Sequence, residues 1–211
     1  MRDVKKFIID NEIVAIIRGI SSEKIVPTVR ALTDGGIKCV EVTFNANDKE
    51  ISKDTLKSIA MIKDTFGDDV SVGAGTVLTT ENVKDAAKAG AEYIISPNTS
   101  RDVIYETKSL GLVSIPGAVT PTEIIDAYDM GADIIKLFPA ASLGLDYIKA
   151  IIGPINHIPL TAVGGINALN AKEFIKIGCV GVSVGGNLVN KKLIEENDFE
   201  SIKKLAQEYK I

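Results

Sequence analysis

The feature that most restricts the fold of this chain is a rhythm: short apolar runs alternate with amphipathic stretches along its length. The runs read IVAII (13–17), CVEVTF (39–44), VSVGAG (70–75) and YIIS (93–96), then LVSIPG (112–117), IIKLF (134–138), PLTAV (159–163) and VGVSV (180–184). Their length and aliphatic content mark strands buried on both faces. Between them lie SEKIVPTVRALTDGG, TENVKDAAKAG, TPTEIIDAYDMG and NALNAKEFIKIG. These open on Ser, Thr or Asn and close on glycine, as helix caps require. Strands alternating with helices form right-handed βαβ units and a parallel sheet. Eight such units in 211 residues predict an α/β fold, a single-domain (β/α)8 TIM barrel over residues 1–211. An open doubly wound sheet suits the even spacing less well. The opening MRDVKKFIIDNE carries acids inside it and predicts an N-terminal amphipathic helix rather than a signal peptide.

Composition narrows the function classes. Lys+Arg 24 against Asp+Glu 28 leaves a formal net charge of -4, which argues against an electropositive nucleic-acid surface. With 5% aromatics and no tryptophan, platforms for stacked bases are not expected either. No apolar run reaches the roughly 18 to 20 residues of a membrane span. Cys39 and Cys179 both lead into apolar runs and read as buried thiols of a cytoplasmic protein, not as a disulfide.

One residue breaks the pattern. Lys136 stands inside the apolar run ADIIKLFPAAS (132–142), although burying an ammonium is costly unless it is paired or neutralised. In a barrel of this kind the chemistry sits at the C-terminal strand ends. There the sequence puts Lys136 near the end of the sixth strand and Glu41 near the end of the second, with Arg18, Thr76 and Pro97 after the first, third and fourth. Second and sixth strands face each other across an eight-membered ring. Period-two alternation groups Ile134, Lys136 and Phe138 on one face, and Glu41, Thr43 and Asn45 on another. Desolvation lowers a lysine pKa and frees the amine as a nucleophile for a ketone, while a facing carboxylate can move protons. A buried structural ion pair, or a lysine snorkelling from the strand end, is the competing interpretation.

The loops after the seventh and eighth strands read AVGGIN (162–167) and VGGNLV (184–189). Paired glycines there let backbone N–H groups approach an anion. No Walker pattern is present, and no strand–GxGxxG–helix stretch supports a dinucleotide. The one histidine, His157, precedes the seventh strand and so belongs at the opposite end of the barrel, which argues against a histidine metal site or acid–base pair.

The motifs EVTF, GAGTV, ISPN, PGAVTPTE, KLFPA and VGGIN occur in order along nearly the whole chain. Together they resemble the family of 2-keto-3-deoxy-6-phosphogluconate (KDPG) and 4-hydroxy-2-oxoglutarate (KHG) aldolases. The resemblance implies a class I aldolase that needs no metal or other cofactor. It also implies a small keto-acid phosphate as substrate, pyruvate and an aldehyde as products, and a homotrimeric assembly. Lys136 then matches the Schiff-base lysine and Glu41 the general acid/base. Thr76, Pro97 and Phe138 match the pyruvate pocket, Arg18 an arginine at the first strand end, and Gly164, Gly165, Gly185 and Gly186 the phosphate loops.

The chain departs from the phosphogluconate type in three places. Asn45 stands where many members of the family have an arginine, Val163 where a threonine is frequent, and Asn187 where some have a serine, all toward the aldehyde end of the pocket. The first two changes are reminiscent of 6-phosphogalactonate aldolases. Two other classes fit the barrel: a phosphosugar isomerase or epimerase, which would not need Lys136, and a catalytically silent binding protein.

Overall fold

The computed structural model describes residues 2–209, with Lys49 and Ile51 described by backbone alone. The strands are β1 Ile13–Ile17, β2 Cys39–Thr43, β3 Ser71–Gly75, β4 Tyr93–Ile95, β5 Val113–Ile115, β6 Gly117–Ala118, β7 Ile135–Leu137, β8 Leu160–Val163 and β9 Gly181–Val184. The helices are α1 Val4–Asn11, α2 Ser22–Asp34, α3 Lys49–Phe66, α4 Thr80–Lys88, α5 Arg101–Ser109, α6 Pro121–Asp129, α7 Ala140–Leu143, α8 Leu145–Ile152, α9 Ala171–Lys176, α10 Lys191–Glu195 and α11 Phe199–Gln207. All strand pairings are parallel, in the order β5-β4-β3-β2-β1-β9-β8-β7-β6.

The expected fifth strand is two strands. Pro116 cannot donate a ladder hydrogen bond, and it divides LVSIPGA into β5, which pairs with β4, and β6, which pairs with β7. The two ends of the sheet are therefore consecutive in the chain. The gap is further bridged by the Asp133 N–H to the Ser114 carbonyl at 2.9 Å and the Lys136 N–H to the Pro116 carbonyl at 2.9 Å. The result is a nearly closed (β/α) barrel, in which β2 and β7 occupy opposite positions. The four quoted helical stretches form α2, α4, α6 and α9. In α6 the Thr120 hydroxyl and Glu123 carboxylate cap reciprocally. The N-terminal helix is present from Val4; Met1 lies outside the described residues.

Strand alternation separates two apolar layers. Outward residues such as Ala15, Val40, Val72, Ile94, Leu137 and Val182 pack under the helices. Inward residues Val14, Cys39, Tyr93, Ile95, Val113, Ile115 and Ile134 fill the interior together with Ile8 of α1, which closes the end remote from the strand C-termini. Two glycines of β3 face this interior. A methyl group on Gly73 would lie 2.2 Å from the Tyr93 ring, and one on Gly75 would lie 1.7 Å from Glu41 Oε1. A side chain at either position would occupy the space that Tyr93 and Glu41 use.

Candidate active site

A cavity of about 430 Å³ opens at the C-terminal strand ends. Ten of the expected residues line it: Arg18, Thr76, Pro97, Lys136, Phe138, Gly164, Gly165, Gly185, Gly186 and Asn187. They come from six different strand ends, so the ring gathers residues far apart in sequence.

Lys136 is 6% exposed, with its backbone in register with Gly117 and Thr161. Its amine closes no salt bridge among the described residues. Its nearest aromatic neighbour is Phe138, whose ring centroid lies 5.0 Å from Nζ. Burial pushes the Lys136 pKa below its ordinary value; Glu41 opposes this, and Arg18 adds to it. An unpaired amine with a lowered pKa at the base of a cavity has the features that a nucleophilic lysine requires.

Glu41 is 1% exposed and seated against the bare backbone of Gly75. Its Oε2 is buried without a hydrogen-bond partner. Burial raises its pKa, against the opposing effects of Lys136 and Arg18. The carboxyl therefore holds a proton more readily than an exposed one does, as suits a group that both donates and accepts protons. Lys136 and Glu41 sense each other's charge across the barrel without forming the ion pair of the competing interpretation. Glu41 does not itself border the cavity.

Thr76 sits directly after β3 with φ +58°, a left-handed conformation that costs a β-branched residue on the order of 1–3 kcal/mol and recurs at functional sites. Its Oγ1 accepts a hydrogen bond from Arg18 at 3.5 Å. On the other side, the Ala141 N–H donates to the Gly164 carbonyl at 3.0 Å, and Asn187 Nδ2 donates to the Ile166 carbonyl at 2.8 Å. Asn187 thus ties the two glycine loops together as well as lining the cavity. Gly164 and Gly165 have φ +95° and +74°, which demands glycine, whereas a methyl group at Gly185 or Gly186 would meet no atom within 4 Å.

Asn45, like Glu41, is an expected residue that the main cavity does not include. It lines an adjoining cavity of about 310 Å³ that shares Arg18 and Thr76 with the first. Its Oδ1 accepts the Asn47 N–H at 3.0 Å, so the side chain also shapes the loop leaving β2. His157 lies on the turn entering β8, edge-on to Tyr128 at 5.8 Å and remote from the site. Among the described residues no group of three or more His, Cys, Asp or Glu is gathered where it could hold a metal ion. Among the described residues no helix is long and apolar enough to cross a membrane.

Sequence reasoning left out Ser183 and Lys191, which also line the cavity. Lys191 follows the second glycine loop at the rim, 3.7 Å from Glu195. A charge just beyond a strand-end loop was the signal available for it; a serine within an apolar strand offers no comparable signal.

A family profile described as "KDPG and KHG aldolase" matches residues 4–205. The chain is 36% identical over 177 residues to the 2-dehydro-3-deoxy-6-phosphogalactonate aldolase of Escherichia coli strain K12, covering 83% of each. It is 34% identical over 187 residues to the 2-dehydro-3-deoxy-phosphogluconate aldolase of Treponema pallidum strain Nichols, covering 88% of this chain and 86% of that protein. A solved structure of the KDPG aldolase of Legionella pneumophila, with pyruvate captured as a covalent carbinolamine, superposes with a TM-score of 0.83. It is 29% identical, and the match covers 93% of this chain and 92% of that one.

Proposed function

The chain belongs to the family of KDPG and KHG aldolases, carbon–carbon lyases, and from that premise we propose that it cleaves 2-keto-3-deoxy-6-phosphogluconate to pyruvate and glyceraldehyde 3-phosphate. In the same reading it cleaves 4-hydroxy-2-oxoglutarate to pyruvate and glyoxylate. The observation that carries the proposal is Lys136, a buried and unpaired amine in a cavity that two glycine loops also line. Its free amine attacks the C2 ketone to give a carbinolamine, which loses water to an iminium. Glu41 takes the proton of the C4 hydroxyl, directly or through water. The C3–C4 bond then breaks, its electron pair passing into the enamine as the C4 oxygen becomes the aldehyde carbonyl. Protonation at C3 and hydrolysis release pyruvate and restore the lysine. Arg18, Thr76, Pro97 and Phe138 surround the pyruvate half, and backbone N–H groups of Gly164, Gly165, Gly185 and Gly186 receive the phosphate.

A second reading, the 6-phosphogalactonate acid as substrate, is supported by Val163. This apolar side chain lines the cavity where the phosphogluconate type resembled by the motifs has threonine. Asn45 in the adjoining cavity and the E. coli relative point the same way. In either reading the enzyme is a single-domain homotrimer of the cytoplasm that needs no metal or cofactor.

Borohydride reduction in the presence of pyruvate tests the proposal. A stable adduct on Lys136, formed equally well with EDTA present, is expected; an isomerase or a silent binding protein gives none. The phosphate assignment is checked at Gly185, where an added side chain meets no protein atom. Gly185→Val should raise KM for the phosphorylated acid about tenfold or more, the scale of lost charge-assisted hydrogen bonds. The KM for 4-hydroxy-2-oxoglutarate, which has no phosphate, should change little. Equal effects on both substrates would point to loop damage. Gly164→Val is a poorer test, because φ +95° and a Phe138 ring 3.2 Å from the new Cβ would disturb the loop regardless of ligand.

A further inference from the structure

We infer that Ser183 is a substrate-binding residue whose hydroxyl meets the oxygen on C4 of the sugar acid and sets the preference between C4 epimers. The inference rests on the imine chemistry proposed above. Among the described residues, the buried side-chain polar atoms without a hydrogen-bond partner are Arg2 Nε, Glu41 Oε2, Ser58 Oγ and Ser183 Oγ. Two buried hydroxyls near the site are satisfied: Ser96 Oγ after β4 donates to the Val77 carbonyl at 2.7 Å, and Thr55 Oγ1 of α3 to the Thr43 carbonyl at 2.9 Å. A buried hydroxyl left unpaired is destabilising, so it needs a reason.

Ser183 is 2% exposed on β9, in register with Val163 of β8 and Val14 of β1. It borders the main cavity together with Lys136, and also a second space of about 10 Å³ beneath it. Its hydroxyl has staggered χ1 positions to choose among, with space on both sides of the residue. Around the ring from Lys136 to Arg18, the cavity wall is built by Val163, Ser183 and Ile16. Two of these are apolar, so Ser183 is the hydrogen-bonding side chain of that wall. Ser183 also lies directly below the Gly185–Gly186 loop on the same strand. A substrate bonded through C2 to Lys136, with its phosphate at the glycine loops, passes Ser183 between those two anchors. One C4 configuration turns its hydroxyl toward this wall, and the epimer turns it away. In cleavage the C4 oxygen gives up its proton to Glu41 and becomes a carbonyl, so a hydrogen bond from Ser183 stabilises the charge developing there.

The test is Ser183→Ala in the full chain, with Ser183→Thr as the variant that keeps a hydroxyl. Both C4-epimeric 2-keto-3-deoxy-6-phospho sugar acids are assayed, alongside borohydride trapping of pyruvate and thermal stability. With Ser183→Ala, kcat/KM for the preferred epimer should fall about tenfold, and the ratio between epimers should shrink by the same factor. Trapping of pyruvate, which has no C4, should stay at the wild-type rate. Tm should hold or rise as the unpaired hydroxyl is removed, and Ser183→Thr should recover part of the epimer ratio. An unchanged ratio with normal pyruvate trapping would overturn the inference alone. So would an equal loss for both epimers, or a parallel loss of trapping. Failure of the wild-type enzyme to form any pyruvate adduct would overturn the imine reading, and this inference with it.

Discussion

Lys136→Arg is expected to lose aldol cleavage altogether, and Lys136→Ala with it. The nucleophile in the proposed chemistry is a neutral amine. Burial and Arg18 favour that form at Lys136, against the charge of Glu41. A guanidinium occupies similar length but stays protonated and cannot attack a carbonyl, so arginine preserves charge while removing chemistry. Alanine removes both. Loss of a covalent nucleophile costs on the order of 10⁴ or more in kcat where it has been dissected. Steady-state assays with the phosphorylated acid and with 4-hydroxy-2-oxoglutarate should show this loss for both substrates. Circular dichroism should report an intact barrel, because Lys136 makes no salt bridge whose partner would be stranded. Turnover near the wild-type rate in either variant would exclude the imine route.

Glu41→Gln should separate bond making at nitrogen from proton transfer at carbon and oxygen. General acid–base catalysis contributes about 10² to 10⁴-fold, so kcat should fall within that range while borohydride still labels Lys136. The variant also has a pH signature with a fixed sign. In the wild type, ionised Glu41 raises the Lys136 pKa, whereas burial and Arg18 lower it. Glutamine removes the one raising influence. The lysine pKa therefore drops further, and the pH profile of pyruvate trapping should move to lower pH than that of the wild type. A profile that stayed in place, with normal kcat, would reduce Glu41 to a buried spectator. A profile that stayed in place while kcat fell would mean that Glu41 does not hold its charge beside the lysine.

Much of this was legible in the sequence because the informative residues violated their surroundings. A lysine and a glutamate inside apolar runs can be noticed without coordinates, and period-two alternation assigns them to faces. Doubled glycines at two strand ends are equally visible. The hidden parts are those in which a residue conforms to its surroundings. Gly73 and Gly75 look like ordinary small residues of a strand, yet the space they leave admits the Tyr93 ring and the Glu41 carboxylate. Ser183 is common enough in a buried strand that only its missing partner makes it notable. Pro116 sits inside one apolar run of the sequence, and that it ends one strand pairing and starts another depends on which neighbours lie on either side of it. Alternation and the family resemblance both assign Asn45 to the site. Its bond to the Asn47 N–H turns it into the loop of an adjoining cavity.

The apolar plug that α1 and the inward strand residues build below Lys136 makes the barrel a vessel with one mouth. Small molecules arrive and depart through the same rim, and they queue there. In the proposed chemistry the three-carbon keto acid is tethered deepest, at the lysine, with the phosphorylated aldehyde between it and the exit. The aldehyde must therefore leave first in cleavage, and pyruvate must enter first in condensation. The kinetic scheme is ordered by the depth of the container, with no moving gate required to impose it.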